Sequence, residues 1–449
     1  MQGFETRFAS VSVKAVAIAV LTLLMLWPLS QVERLVSERQ SLQNQAYGVI
    51  AAGFGGAQIL GGPILTVETQ DKTVGVNTLT KERTETWVEG APLHLLPSEL
   101  QITTNVSVEL RSKGIYSVPV YVSKVVMTGE FKPEALASLL VSNADIHALP
   151  SRAVFQLPVS DVKYLRALMH FDVDGQAARA TSGEVVGLSA LSVPIDLKAR
   201  GEARPLIFRL EFEIAGSESL HFLPLGSHTT VAAHVAWPHP DFDGAFFPVT
   251  RDIRPDSYTA GWEVLELNRT YPQQWRGTSV TQPTLLATSF GVRLFQPSNI
   301  YTQNYRAVRY GILFIAITFA CLFAWEHVVR GLRLHPMQYL LVGLALATFY
   351  LVLLALSEHI GFALSYGLAA AALVTLIGTY LTGAIKNRRA IAVIVAALSV
   401  AYGVLYVILL SEDYALLFGS LLVFAVLAGL MVATRRLDWS KVGKAAAEE

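Results

Sequence analysis

Apolar positions follow two rhythms along this chain. Near the start and through the last third they run together without charge, whereas between those regions they alternate with polar residues or gather in short stretches. The first unbroken run covers residues 15–31, and five more follow at 310–325, 336–356, 360–385, 390–410 and 414–434. An α-helix rises about 1.5 Å per residue, so about 20 such residues cross the hydrocarbon core of a bilayer. Four runs reach that length; the first two need flanking polar residues such as Ser12 or Thr302 to complete a span. The pattern predicts about six transmembrane helices, one at the start and a five-helix bundle at the end.

The intervening segment begins as a helix. Val32, Leu35, Val36, Leu42, Ala46, Val49 and Ile50 recur at three- and four-residue spacing, and Gly53-Phe54-Gly55-Gly56 ends the pattern. Short runs rich in Val, Ile, Thr and aromatics follow, as at 115–121 and, with strict alternation, at 207–214. Asp174-Gly175 and Asp243-Gly244 suit tight hairpin turns that need positive φ. The expected fold is therefore an α-helical membrane protein carrying a large, mainly-β, sandwich-like domain. Its expected parts are residues 1–31 (N-terminus and first span), 32–305 (juxtamembrane helix and β-rich domain), 306–434 (bundle) and 435–449 (tail). Leu93-His94-Leu95-Leu96-Pro97 is echoed by Leu220-His221-Phe222-Leu223-Pro224, which fits either two related β-modules or chance strand composition.

Composition narrows the function. Only 16% of the 449 residues are charged, against about 25% in ordinary soluble domains. Lys plus Arg equal Asp plus Glu at 35 each, which argues against a chain built to grip nucleic acid. The one cysteine, Cys321, excludes an intramolecular disulfide and multi-cysteine metal sites.

Charge placement suggests an orientation. With the N-terminus in the cytoplasm, Arg7, Lys14, Arg330, Arg333, Lys386, Arg388, Arg389, Arg435 and Arg436 all fall inside, while the loops 357–361 and 411–413 carry no Lys or Arg. The segment 27–32 offers no small-x-small cleavage site, so the first span reads as an uncleaved signal anchor.

Signatures of a nucleophile elbow, a zinc helix and a phosphate loop are all missing, and no catalytic residue, cofactor or metal is expected. His221, His228, His234 and His239 with Asp241 and Asp243 are the best metal candidates. As strand residues, His228 and His234 would stand about 20 Å apart, too far to share an ion whose ligands lie at ~2 Å. Around Trp237 and His239, the stretch Trp-Pro-His-Pro-Asp-Phe-Asp-Gly-Ala-Phe-Phe-Pro is either an aromatic binding surface or a plug of rings closing the β-domain, and the plug is favoured.

At the expected membrane boundaries, Ser357-Glu358-His359 and Ser411-Glu412-Asp413 sit 54 residues apart on the outer side. They could relay protons or hold an ion. The favoured reading has each serine N-capping the next helix, with Glu358 and His359, or Glu412 and Asp413, in or near its first turn. On the inner side, Glu326 and His335 bound a short turn with Arg330 and Arg333, an interfacial turn or a contact for a cytoplasmic partner. Few polar groups are expected near mid-membrane.

Leu334-His335-Pro336-Met337-Gln338-Tyr339-Leu340-Leu341-Val342-Gly343-Leu344, then Leu353-Leu354-Ala355-Leu356-Ser357-Glu358-His359 with Gly361-Phe362, resemble the CreD family of bacterial inner-membrane proteins. Trp237-Pro238-His239-Pro240, Gly244, Phe246 and Pro248, Glu38-Arg39-Gln40, and the segment from Arg435 to Trp439 extend the resemblance nearly end to end; Ser440 departs where a tyrosine is usual. The resemblance implies a role in cell-envelope integrity or stress response and expression under a two-component system. It carries over no reaction, ligand or catalytic residue. The leading expectation is a non-enzymatic bilayer protein whose exported β-domain binds an envelope component or a protein partner; the alternative is a transporter or exporter built on the five-helix bundle.

Overall fold

The computed structural model describes residues 14–76, 83–140, 145–198, 204–294, 300–328, 334–384, 388–411 and 414–434. They fall into two compact units, one within Met1–Asn44 and Ser298–Glu449, the other within Gln45–Pro297.

The first helix, α1 (Lys14–Phe54), is longer than one membrane crossing. It breaks for one residue at Met25. Pro28 explains the break, because it has no N–H to donate to the carbonyl four residues back and its ring crowds that turn. The helix stops where the glycine run predicts. Gly55 has φ +110°, and a Cβ there would lie 2.6 Å from the Ala215 carbonyl oxygen. Cations and a hydroxyl cover this end: the Arg166 and Arg111 guanidinium groups lie 4.5 and 5.5 Å from the Phe54 ring, and the Tyr164 hydroxyl donates to the Ala52 carbonyl at 3.2 Å. Both answer the negative end of the helix dipole.

In the second unit the described strands form three sheets. The first has four strands in the order Gln58–Gly61, Ser219–Leu223, Phe290–Leu294, Pro240–Gly244. The second has seven: Thr181–Val185, Leu188–Ile195, Ile146–Pro158, Ile64–Val76, Leu93–Leu95 and Gln274–Arg276 in sequence, with Arg83–Glu89 paired to Ile64–Val76. The third has eight: Thr250–Ile253, Tyr258–Leu265, His228–Ala236, Glu99–Lys113, Tyr116–Phe131, Leu206–Ser217, Leu165–Val173 and Gln176–Ala177. Two short helices, α2 (Pro133–Leu140) and α3 (Gln282–Leu286), bury Leu136, Leu139 and Leu285.

Alternation decides which face goes inward. Along Leu206–Ser217, Phe208, Leu210, Phe212 and Ile214 are buried while Ile207 and Arg209 face out. Inward residues of all three sheets join one hydrophobic cluster running from Leu60 to Leu294. Phe155 sits inside it, 5.5 Å from Phe208, 5.8 Å from Phe171 and 6.3 Å from Phe131 between ring centres. The expected mainly-β, sandwich-like domain takes the form of three sheets sharing one core.

The sequence echo has a local structural counterpart. The strands that follow the two echoed segments, Glu99–Lys113 and His228–Ala236, are parallel neighbours with Glu99 opposite His228. The echoed segments themselves lie in different sheets. Asp174-Gly175 forms the expected turn with φ of 58° and 75°. Asp243-Gly244 does not: it ends the strand Pro240–Gly244, with Gly244 opposite Phe290.

The other unit contains α4 (Ile300–Val328), α5 (Pro336–Ile360), α6 (Phe362–Ala384), α7 (Arg388–Leu410) and α8 (Ala415–Thr434). Five described helices are long and apolar enough to cross a membrane: α1, α4, α5, α6 and α7. In α8 the qualifying apolar stretch, Leu417–Gly429, is shorter. Leu364, Leu368 and Leu376 on α6 and Val393, Val400 and Val407 on α7 point outward, as a lipid-facing surface requires.

Candidate functional site

Glu326 and His335 prove to be joints. Glu326, near the end of α4, has a side chain only 8% exposed. Lys14 Nζ donates to it at 2.5 Å, the Tyr339 hydroxyl at 3.2 Å and the Leu334 N–H at 3.3 Å. Lys14 also reaches the Leu334 carbonyl, so one carboxylate ties α1, α4 and the start of α5 together. His335 is the N-cap of α5. Its Nδ1 accepts from the Met337 N–H at 3.2 Å, and its own N–H donates to Gln338 Oε1 at 2.8 Å. Pro336 takes the first helical position, where no N–H is needed.

Ser357 and Glu358 overturn the capping expectation. Polar residues prolong α5 through Ile360, and the break comes at Gly361 with φ +79°, so both residues lie in the last turns of α5 and cap nothing. Ser357 is buried, accepting from Asn304 Nδ2 at 2.8 Å and donating to the Leu354 carbonyl at 2.9 Å. Glu358 accepts from the Tyr301 hydroxyl at 3.0 Å and lies 3.7 Å from Arg39 Nε. His359 is exposed. Glu412 and Asp413 lie outside the described residues. The interior of the bundle is also more polar than expected: Tyr350 and Tyr402 are fully buried, and the Tyr366 hydroxyl donates to the Tyr402 carbonyl at 2.6 Å.

Around Trp237 and His239 the plug reading holds for two rings. Phe242 packs edge-on to Tyr258 and Trp262 at 5.7 and 6.0 Å, and Phe246 meets Phe290 at 5.7 Å. Trp237 is half-buried with the exposed His239 ring 6.3 Å away, and Phe247 is 73% exposed. The neighbouring histidines enter cross-strand hydrogen bonds with carboxylates. His221 Nε2 lies 2.7 Å from Asp243, whose other oxygen takes Arg293 at 2.5 Å. Partial burial alone would raise the Asp243 carboxyl, but the Arg293 and His221 hydrogen bonds outweigh it and hold it below its ordinary value. His228 bridges Glu99 and Glu263 at 3.1 and 3.0 Å. Among the described residues, no three metal-ligating side chains converge.

A pocket of about 620 Å³ in the β-rich unit gathers residues that no local motif announces: Thr66, His94, Gln156, Glu184, Val186 and Gln282 are among its lining. His94 is stacked on Trp275 with ring centres 5.1 Å apart. Gln156 Nε2 donates to the Glu184 carbonyl at 2.8 Å, which turns Oε1 toward Thr66. The Thr66 hydroxyl donates to that oxygen at 2.7 Å. It has no second proton, so the 3.0 Å contact between Thr66 Oγ1 and His94 Nδ1 requires Nδ1–H as donor. The imidazole therefore presents Nε2 as an acceptor, with no hydrogen-bond partner among the described residues.

The pocket rim is strained. Val185 and Leu188 pair, leaving Val186-Gly187 as a two-residue turn with φ of 52° and 77°. Such turns favour Asn-Gly, and a β-branched residue at positive φ costs on the order of 1–3 kcal/mol.

Burial pushes the His94 imidazole down to about 4. Unfolded, it takes a proton near 6.5, so between these values the unfolded chain binds the extra proton. The stability that depends on a neutral His94 is complete above about pH 6.5 and is lost as the pH falls toward 4, at most ~3 kcal/mol. His94→Gln is expected to flatten the fall of Tm across that range; equal slopes in both proteins would count against this origin.

Two comparisons bear on the whole chain. A family model described as "Inner membrane protein CreD" matches residues 10–440. The chain is also similar to Inner membrane protein CreD of Escherichia coli (strain K12), 30% identical over 427 residues that cover 93% of this chain and 91% of that protein.

Proposed function

The chain belongs to the CreD family of inner membrane proteins, and from that membership we propose that it supports bacterial cell-envelope integrity or stress response by binding an envelope component or partner protein through its β-rich domain. In this reading the protein is multi-pass, α1 is an uncleaved signal anchor, α8 is a sixth span, both termini are cytoplasmic and the β-rich domain is periplasmic. The absence of Lys and Arg from the segments 357–361 and 411–413 supports that orientation.

The observation that carries the binding role is the pocket beside His94, a concavity of ligand size with convergent polar groups at the β-core. A role without catalysis is supported by the same hydrogen bonds. With Nδ1 donating to Thr66, His94 cannot act as the base for that hydroxyl, so the pair is no nucleophile dyad.

In-cell photocrosslinking tests the role. Crosslinkers at the exposed positions Phe247 and Thr278 are expected to trap one recurrent envelope species, and deletion of the protein is expected to sensitise cells to envelope stress. No adduct together with unchanged resistance would defeat the proposal. Transport through the bundle is a second reading, favoured by the part-buried Glu358 and the buried Tyr350 and Tyr402; solute flux in proteoliposomes that Glu358→Gln abolishes would favour it over the first.

A further inference from the structure

We infer that the pocket beside His94 takes a small organic cation, a primary or secondary ammonium on an apolar body. The inference rests on the binding role proposed above and names the kind of molecule bound.

Charge is the first argument. No Lys or Arg lines the pocket, whereas Glu68 and Glu184 do. Glu68 is met by Arg152 at 3.3 Å, but Glu184 has no ion-pair partner among the described residues. An anionic ligand would face two carboxylates with no cation in the lining, the nearest guanidinium being already paired with Glu68; a cation would find the Glu184 carboxylate unanswered.

Hydrogen-bond direction is the second. Because Nδ1–H is committed to Thr66, His94 offers only the Nε2 lone pair. An ammonium N–H satisfies that acceptor, while a carboxylate or carbonyl oxygen would set lone pair against lone pair. Gln282, whose side chain lies beside the Gly187 turn, adds an amide that can serve either sense.

The third argument is the turn itself. Pro92, Val154, Val185 and Val280 give the pocket apolar walls, and Val186 completes them from a left-handed backbone position that asparagine would occupy more easily. Strain kept where a side chain lines a cavity points to a use for that side chain. An isopropyl group at the rim suits a ligand with an apolar body behind its charge.

Three probes of matched shape test the inference on the full chain in detergent micelles by calorimetric titration at pH 7.5: cyclohexylmethylamine, its N-acetyl derivative and cyclohexanecarboxylate. The amine is expected to bind saturably at one site, and the other two at least about tenfold more weakly, or ~1.4 kcal/mol. Glu184→Gln, at an exposed carboxylate, is expected to weaken amine binding by about tenfold without changing the Tm of the free protein. Val186→Asn is expected to raise that Tm and still weaken binding, a combination that a purely structural turn would not give. No saturable amine binding, equal binding of all three probes, or full affinity in Glu184→Gln would overturn the inference. Absent amine binding alongside retained crosslinks in cells would reject the ligand class and leave the binding role standing; amine binding without crosslinks or envelope phenotype would do the reverse.

Discussion

Phe155→Ala is expected to destabilise the β-rich unit by about 3–5 kcal/mol, the usual cost of emptying a buried aromatic site. The residue has no exposed surface, and Phe131, Phe171 and Phe208 pack around its ring from different strands. Rings held from several strands cannot all move inward, so the vacated space stays a cavity and the loss falls toward the upper end of the range. Phe155→Leu keeps most of the volume and should cost ~1 kcal/mol. Thermal unfolding of the full chain followed by tryptophan fluorescence separates them, because a loss of ~4 kcal/mol lowers Tm by about 10 °C in a unit of this size. Equal midpoints for alanine and leucine would mean that the second and third sheets do not pack on each other through Phe155.

Glu326→Leu is expected to cost a further 3–5 kcal/mol in the helical unit, because it strands one partner of a buried ion pair. Lys14, 19% exposed, loses its carboxylate, and the Tyr339 hydroxyl and Leu334 N–H lose their acceptor. The double variant Lys14→Met with Glu326→Leu should recover most of the loss, since replacing both charges by apolar groups is often close to neutral. A double-mutant cycle on detergent-solubilised protein would show this as strong coupling; additive losses would mean the pair is not acting as one joint. The Arg39–Glu358 pair should matter less. Its partners are 3.7 Å apart and Arg39 is 41% exposed, conditions under which ion pairs contribute about 0–1 kcal/mol.

The two pairs also explain how α1 is held. Lys14 and Arg39 are separated by 25 residues, or about 37 Å of helix, so the stronger and the weaker joint sit at opposite ends of one membrane-length segment.

Much of this architecture was legible because it is periodic. Uncharged runs announced the bundle, alternation announced Leu206–Ser217, and Gly53 to Gly56 announced the end of α1. What escaped is what periodicity does not encode. Ser357-Glu358 resembles an N-cap because an apolar run resumes just beyond it, yet no breaker precedes Gly361, so the helix simply continues. The buried tyrosines were hidden because a tyrosine at a core position contributes to an apolar run like any other residue. The pocket was invisible for a different reason: Thr66, His94, Gln156, Glu184 and Gln282 come from distant segments, and only the pairing of Ile64–Val76 with both Leu93–Leu95 and Ile146–Pro158 brings the first three together. Nothing in the sequence marks Val186 as left-handed, since valine is among the residues least suited to that region.

The first sheet fixes an order of events during synthesis. Phe290–Leu294 lies between Ser219–Leu223 and Pro240–Gly244, so the last strand made occupies an interior position. Gln58 waits for Leu220 as its partner, and both wait for that final strand to close the sheet. At about 5–20 residues per second, the early strands spend on the order of tens of seconds with open edges before the chain that completes them emerges. A nascent chain stalled before Phe290 therefore presents an open first sheet, with Ser219–Leu223 and Pro240–Gly244 lacking the strand that joins them.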